Sequence, residues 1–163
     1  MVQSLRERIE AGPAGKTRPL TPDEMEALAR SVDLESLDLG PYRSFRKECY
    51  ARNTVFLNEH VELVVICWAP GQMSAVHDHG ASNCLYLVTE GTMVEERFEL
   101  RDGKPQPLDE RTFTRGDITI AAGNSIHRIN NRTDRDLVTI HIYSPPLGEN
   151  MKLFTPIPRR AEA

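Results

Sequence analysis

Short apolar runs separated by turns fill the chain from about Tyr50 onward. Pro70 with Gly71, and Glu90 with Gly91, each end one such run. Strands of this length at this spacing are typical of an antiparallel sandwich or barrel. The sequence predicts strands over residues 61–68, 84–89, 92–100, 111–114, 118–121, 127–130 and 137–143. We therefore expect a mainly β fold.

The first forty residues predict helices instead. Thr21 and Glu24 have the spacing of a capping box, with Pro22 at the first helical position. Ser4 and Glu7 have the same spacing and predict a second helix start. An apolar stripe at helical spacing follows Thr21 and can pack on a larger body. It consists of Met25, Leu28 and Val32.

Length and composition favour one globular domain without nucleic-acid or membrane partners. A chain of 163 residues is long enough for a buried core, and its net charge of −4 gives no basic surface for nucleic acid. No apolar run is long enough to span a bilayer, and the first residues lack the apolar core of a secretory signal. The odd count of three cysteines argues against a disulfide framework. Two of them, Cys49 and Cys67, are expected in the core. We expect a cytoplasmic monomer, with a helical segment at 1–40 and a β-barrel core at 50–146 inside one domain spanning 1–163.

Three histidines have the spacing of a metal site. His77 and His79 are two residues apart in an extended segment, and side chains at that spacing point to the same face of a strand. His127 follows a later turn. An H-x-H pair on a strand also occurs without a metal, and imidazoles alone do not select which ion binds. Three neutral ligands would leave the whole charge of the ion available to an anionic substrate.

A second polar cluster is predicted on the strand at 137–143, which reads L-V-T-I-H-I-Y. Alternation places Thr139, His141 and Tyr143 on one face and three apolar residues on the other. If that face is buried, its hydroxyl, imidazole and phenol need hydrogen-bond partners, which they can supply to one another. The alternative is a polar edge facing solvent.

The histidine segments resemble the two motifs of the cupin superfamily. The pattern G-x5-H-x-H-x4-E-x6-G is matched from Gly71 to Gly91, with Cys84 where the glutamate stands. The pattern G-x5-P-x-G-x2-H-x3-N is matched from Gly116 to Asn131, but alanine replaces its proline and the second glycine comes one place early. The resemblance implies a small jelly-roll barrel of cupin type, with the N-terminal helices packed outside and no carboxylate ligand.

Within the cupins, the chain is most similar to the cysteine dioxygenases of type I, the thiol dioxygenases that carry an arginine in the substrate pocket. The similarity covers about two thirds of the chain, in the order and approximate spacing of the family. It rests on Y-A-R-N at 50–53, H-D-H-G-A-S-N-C at 77–84, S-I-H-R-I-N-N at 125–131 and H-I-Y-S-P-P at 141–146.

The resemblance implies a role for each matched position. His77, His79 and His127 match the ligands of one Fe(II) per chain. Arg52 matches the arginine that holds the substrate carboxylate, and Tyr50 matches a tyrosine of the same pocket.

The resemblance also implies catalytic roles on the polar strand. Tyr143 matches the active-site tyrosine, His141 the histidine bonded to it, and Thr139 the hydroxyl residue that supports that histidine. Cys84 matches a position that is cysteine in some members and glycine in others, and the cysteine can form a thioether crosslink with the residue matching Tyr143. The alternative for Cys84 is an inert buried side chain.

The implied reaction converts L-cysteine and O₂ to cysteine sulfinate. A guanidinium binds a carboxylate through two parallel hydrogen bonds. The related 3-mercaptopropionate dioxygenases carry glutamine near this position, so the resemblance implies that Arg52 favours L-cysteine, although arginine alone does not exclude other thiol carboxylates. Two other functions stay open at this point. One is a dioxygenase for 3-mercaptopropionate or another thiol, and the other is a non-catalytic metal-binding cupin that senses a small ligand.

Overall fold

The computed structural model describes residues 2–11 and 17–155. Within them the chain forms two helices, one short 3-10 turn and ten strands. The elements are α1 (Val2–Ala11), α2 (Pro22–Arg30), the turn Gly40–Tyr42, β1 (Ala51–Leu57), β2 (Glu62–Trp68), β3 (Val76–His77), β4 (Asn83–Glu90), β5 (Thr92–Arg101), β6 (Lys104–Thr114), β7 (Ile118–Ala121), β8 (Ile126–Asn130), β9 (Leu137–Ser144) and β10 (Leu153–Phe154).

The strands form two five-stranded sheets. The first sheet has the order β1-β2-β9-β4-β7, and the second has the order β10-β3-β8-β5-β6. The pairings within both sheets are antiparallel. The predicted mainly β class is confirmed, and the two sheets enclose an interior between them.

The central strands β2, β9 and β4 of the first sheet are buried on both faces. On the outer face, Ile140 and Ile142 of β9 belong to one apolar cluster with Leu5 of α1 and Met25 of α2. On the inner face, residues such as Trp68 line the space between the sheets. Burial of apolar side chains on both faces explains why β2 reads as a nearly continuous apolar run. The prediction that the N-terminal helices pack outside the barrel is confirmed.

The second helix starts as predicted, but the first does not. Glu24 N donates to Thr21 Oγ1 at 3.3 Å, and Thr21 N donates to Glu24 Oε2 at 2.8 Å, which completes the capping box. The predicted start at Ser4 is wrong, because α1 already begins at Val2. Serine and glutamate three residues apart also fit the interior of a helix, so the spacing alone did not locate its end. Residues 1 and 12–16 of the expected helical segment lie outside the described residues.

Strand β6 is longer than predicted. It starts at Lys104 instead of at residue 111, so that Pro105 and Pro107 lie within it. Proline lacks an N–H for the sheet, but β6 is an edge strand of the second sheet and tolerates it. The hairpin from β5 turns at Asp102 and Gly103, whose φ angles of 51° and 73° give the twist that a two-residue hairpin loop needs.

Burial was expected for two cysteines and is found for one of them. Cys67 is buried as expected, whereas Cys49 is exposed, because it precedes β1 and lies outside the sheets.

No helix in the described ranges is long and apolar enough to cross a membrane. The assignment of the whole chain to one domain remains a prediction.

Candidate metal centre

The three predicted histidines converge between the sheets. His77 of β3 and His127 of β8 are direct cross-strand partners. The ring centroids of the trio lie 4.8, 4.9 and 5.0 Å apart. One ligand atom from each ring can be chosen so that all three lie within 4.8 Å of one another. The arrangement allows one ion to contact all three rings.

His79 reaches this cluster without being on a strand. Strand β3 ends at His77, so the expected strand alternation across both histidines is wrong. The backbone N–H of His79 instead donates to the carbonyl of Gly123 at 2.7 Å. A Cβ at Gly123 would lie 2.2 Å from the carbonyl oxygen of Gly80. Only glycine therefore permits the loop before β8 to approach the histidine loop so closely.

Hydrogen bonds fix two of the rings. Nδ1 of His127 lies 2.7 Å from Oε1 of Glu95. The other carboxylate oxygen of Glu95, Oε2, accepts a hydrogen bond from Arg111 at 2.5 Å. Nδ1 of His77 lies 2.9 Å from the carbonyl oxygen of Ala75. A ring nitrogen that faces an oxygen acceptor carries the proton, so Nε2 is bare in both rings. An imidazole held in this way by an oxygen acceptor is typical of metal ligands.

The protein keeps two of these imidazoles neutral. Burial, together with the nearby His127, lowers the pKa of His77 to about 4 and that of His79 to about 2. Burial alone would raise the pKa of Glu95, but its bonds to His127 and Arg111 outweigh burial and lower the pKa. Nδ1 of His79 is buried and has no hydrogen-bond partner among the described residues. This donor set fits a metal ion, because neutral imidazoles bind cations and protons do not compete for them at neutral pH.

A cavity of about 330 Å³ opens beside the histidines. This is the size of a small-molecule site. Among the predicted site residues, five line it: Tyr50, Arg52, His77, His141 and Tyr143. The remaining wall includes Glu62, Trp68, Tyr86, Leu147, Met151 and Leu153.

Arg52 on β1 reaches the cavity from the first sheet. Its Nη1 donates to the phenol oxygen of Tyr143 at 3.2 Å, and its Nη2 donates to Oε1 of Glu62 at 2.9 Å. The arginine side chain is 33% exposed and the Glu62 side chain 13%. The sequence did not reveal that the predicted carboxylate-binding guanidinium has a carboxylate of the protein beside it.

The polar face of β9 is buried and forms the predicted chain of hydrogen bonds. Trp68 Nε1 donates to Thr139 Oγ1 at 3.0 Å, and Thr139 Oγ1 lies 2.8 Å from His141 Nε2. Nδ1 of His141 lies 3.1 Å from the phenol oxygen of Tyr143. Burial lowers the pKa of His141 well below its usual value. The alternative of a solvent-facing polar edge is thereby excluded.

Cys84 and Tyr50 lie beside this series of hydrogen bonds. Cys84 on β4 is the cross-strand partner of Tyr143 on β9, and its Sγ lies 3.8 Å from Nδ1 of His141. Burial raises the pKa of the Cys84 thiol, so the group is protonated in the folded protein. Tyr50 stacks on Trp68 with ring centroids 4.3 Å apart.

Sequence reasoning missed two residues that contact the histidines. The phenol oxygen of Tyr86 lies 3.0 Å from Nε2 of His127, and Glu95 lies behind the same ring. Both had a signal in the sequence. Tyr86 is two residues after Cys84 and shares its face of β4, and Glu95 interrupts the inward apolar positions of β5 after Met93.

Comparisons with known proteins agree with this geometry. A family model described as cysteine dioxygenase type I matches residues 17–155. Cysteine dioxygenase type 1 of Rattus norvegicus is 28% identical over 130 residues, which cover 76% of this chain and 65% of the relative. The chain thus spans about 65% of the length of the curated relatives it matches.

Solved structures resemble the fold. A protein of Thermus thermophilus has a TM-score of 0.57 at 23% identity, covering 68% of this chain and 97% of that one. A Klebsiella pneumoniae protein with a double-stranded β-helix domain has a TM-score of 0.57 at 21% identity, covering 73% and 96%. The double-stranded β-helix is the architecture of cupins, so the predicted cupin-type barrel is confirmed.

Proposed function

Because the chain belongs to the cysteine dioxygenase type I family, we propose that it is a non-haem Fe(II) thiol dioxygenase that converts L-cysteine and O₂ to cysteine sulfinate. The observation that carries the proposal is the convergence of three imidazoles beside a cavity that also contains an arginine. Neutral ligands suit a substrate that binds as an anion, and the guanidinium suits a carboxylate at its other end.

The three histidines would hold one ferrous ion per chain. The bound ion would supply a cationic position for a thiolate and for dioxygen. The protein contributes the alignment of the rings through Glu95 and Ala75, together with a small cavity that brings the reactants together.

Arg52 would bind the substrate carboxylate. Its two amino groups point to Tyr143 and Glu62, so its position and orientation are fixed before a ligand arrives. A preorganised guanidinium loses little freedom when it forms its hydrogen bonds. The nearby charge of Glu62 opposes a second carboxylate, which reduces the affinity that Arg52 alone would give.

Tyr143 would donate a hydrogen bond into the cavity. The indole N–H of Trp68 can only donate, so the oxygen of Thr139 accepts from it. The hydroxyl proton of Thr139 is then donated to Nε2 of His141, the next member of this series of hydrogen bonds. His141 then carries its own proton on Nδ1 and donates to the phenol oxygen. Since Arg52 donates to that oxygen too, the phenol proton is left for a ligand. A proton at this place can stabilise negative charge on sulfur or on the oxygen being transferred to it.

Cys84 would join Tyr143 through a thioether. Support comes from their direct pairing across β4 and β9. Formation of the carbon–sulfur bond removes one hydrogen from the thiol and one from the phenol ring, and dioxygen takes up the two electrons and two protons. The crosslink would fix the phenol beside the cavity.

Oxygen uptake by the iron-loaded protein tests the function. Uptake with L-cysteine that yields sulfinate supports the proposal. Faster uptake with 3-mercaptopropionate would assign the other thiol as substrate, and iron binding without uptake would favour a ligand-sensing cupin. The expectation of a cytoplasmic monomer stays a prediction.

A further inference from the structure

The segment that follows β9 forms one wall of the cavity. This closing segment (residues 145–154) contributes Leu147, Met151 and Leu153 to the cavity lining. Leu153 is also 66% exposed, so the segment lies between the cavity and solvent. The position of the closing segment therefore determines how far a bound substrate is enclosed.

The closing segment lies directly against the histidine loop. Its last part, β10, pairs with β3 at two positions, one of which joins Leu153 to His77. A Cβ at Gly80 would lie 2.9 Å from the carbonyl oxygen of Asn150, so the two backbones approach as closely as glycine allows. A strand pair of two residues gives little stability by itself, so the segment depends on further contacts.

Asp78 makes such contacts. It lies between His77 and His79 and is 9% exposed. Its Oδ1 accepts from the backbone N–H of Lys152 at 2.8 Å, and its own backbone N–H donates to the carbonyl of Lys152 at 3.1 Å. The same Oδ1 accepts from the backbone N–H of Gly80 at 3.1 Å, which fixes the turn after His79. One carboxylate thus joins the histidine loop to the closing segment.

The strength of these bonds follows from charge and burial. Both N–H groups donate to a carboxylate, and a hydrogen bond to a charged acceptor is stronger than one between neutral groups. Because Asp78 is buried, water replaces its oxygen incompletely when the side chain is truncated. Truncation of Asp78 should therefore loosen both the closing segment and the histidine loop.

We propose that Asp78 is a positioning residue that holds the closing segment over the cavity and orients the loop that carries His79. The inference rests on the proposed function, in which the cavity binds the thiol and the histidines bind the metal. It gives Asp78 two separable effects. The bond from Lys152 determines how far the substrate is enclosed, and the bond from Gly80 determines how well the histidines bind the metal.

Hydrogen exchange of the iron-saturated protein, measured by mass spectrometry, tests the first effect without turnover. Asp78→Ala removes both side-chain bonds, whereas Asp78→Asn keeps an oxygen that can accept them. In Asp78→Ala we expect the amides of residues 147–154 to exchange at least about tenfold faster, because loss of a bond to a charged group increases the open fraction by that factor. Asp78→Asn should exchange at a rate much closer to that of the parent protein, and peptides from β4 should be unchanged.

A second pair of variants changes the closing segment and leaves Asp78 intact. Proline has no N–H, so Lys152→Pro loses the bond to the Asp78 side chain and keeps the bond from Gly80. Lys152→Ala is the matched control, because it retains the N–H and truncates only an exposed side chain. In Lys152→Pro we expect faster exchange of residues 147–154 and a KM for L-cysteine that is higher by roughly threefold, with a smaller change in kcat. Lys152→Ala should match the parent protein.

Competition with a chelator tests the second effect. Affinity for Fe(II) should fall by roughly tenfold in Asp78→Ala and stay at the parent value in Lys152→Pro, which keeps the bond from Gly80. An equal loss of Fe(II) affinity in these two variants would overturn the separation of effects.

Unchanged exchange or unchanged KM in Lys152→Pro would overturn the role of Asp78 in holding the closing segment. This result decides the question even if Asp78→Ala does not fold. Exchange equally fast in Asp78→Asn and Asp78→Ala would show that the hydrogen bonds are not the cause. Absence of sulfinate formation by the parent protein contradicts the proposed function, whereas the exchange results contradict or support this inference alone.

Discussion

Nδ1 of His127 lies 2.7 Å from Oε1 of Glu95, and the two side chains are 1% and 2% exposed. The carboxylate fixes the ring and keeps the proton on Nδ1. It thereby makes Nε2 a stronger electron-pair donor to a metal ion. The pair thus connects a charged group on β5 to the candidate metal centre. Arg111 supports the carboxylate from the neighbouring strand β6.

Replacement of Glu95 should therefore weaken metal binding. Glu95→Gln keeps the shape but loses the charge, and we expect Fe(II) affinity to fall by roughly tenfold to a hundredfold. Anaerobic titration against a competing chelator measures this. The matched control is Glu96→Gln, because Glu96 is on the opposite face of β5 and bonds Asn130 and Arg128. Equal affinity for Fe(II) in Glu95→Gln and the parent protein would contradict the role of the pair.

The charge of Glu62 beside Arg52 should weaken binding of a carboxylate substrate. Glu62→Gln retains an acceptor for the guanidinium and removes the repulsion. We expect KM for L-cysteine to fall by roughly fivefold, which corresponds to about 1 kcal/mol, with a smaller change in kcat. Steady-state oxygen uptake gives both constants. The control is Glu59→Gln, which changes an exposed neighbour; an unchanged or higher KM in Glu62→Gln would show that Glu62 helps Arg52 more than it opposes the substrate.

The metal-free protein should lose stability below neutral pH. The pKa of His77 is lowered from 6.5 to about 4 and that of His79 from 6.5 to about 2. Between pH 6.5 and 4 the unfolded chain therefore binds protons at both residues that the folded protein does not bind. The free energy of unfolding decreases as pH falls through this window, by up to about 1.4 kcal/mol per pH unit for each histidine.

Denaturant unfolding of chelator-treated protein across this pH range measures the slope. In the control His77→Gln/His79→Gln, neither residue titrates, so the slope should be shallower. The same slope in the variant and the parent protein would mean that the two imidazoles titrate normally in the folded state.

Pairing of Cys84 with Tyr143 predicts a covalent product. After incubation with iron, L-cysteine and dioxygen, a fraction of the protein should be lighter by two hydrogen atoms and should yield one peptide joining β4 to β9. Mass spectrometry of the intact and digested protein detects both. Cys84→Ser and Tyr143→Phe should each abolish the change, whereas Cys49→Ser should not, since Cys49 is exposed outside the sheets. Persistence of the lighter species in Cys84→Ser would exclude the proposed link.

Much of the fold and of the site could be predicted from the sequence because the signals are local. Alternation along β9 separates Thr139, His141 and Tyr143 from the apolar face, and the structure has that separation. The capping box of α2 depends on two neighbouring residues and is also correct. Turns rich in glycine located most strand ends.

Other features depend on contacts between distant segments and have no local signal. His79 is placed by a bond to Gly123, which is far from it in sequence. The ion pair between Arg52 and Glu62 depends on how β1 lies along β2, and alternation within one strand does not give that register. Alternation places Tyr86 on the same face of β4 as Cys84, but its distance from the histidines depends on how β4 and β8 lie against each other.

Transfer of labelled oxygen from dioxygen to the product is the sharpest test of the proposed reaction. The iron-loaded protein is incubated with L-cysteine under isotopically labelled dioxygen, and the product is analysed by mass spectrometry, with Arg52→Ala measured in parallel. We expect cysteine sulfinate in which both oxygen atoms come from the gas, formed with a much lower kcat/KM in Arg52→Ala. Sulfinate with oxygen from water, or no sulfinate from protein that holds its iron, would contradict it.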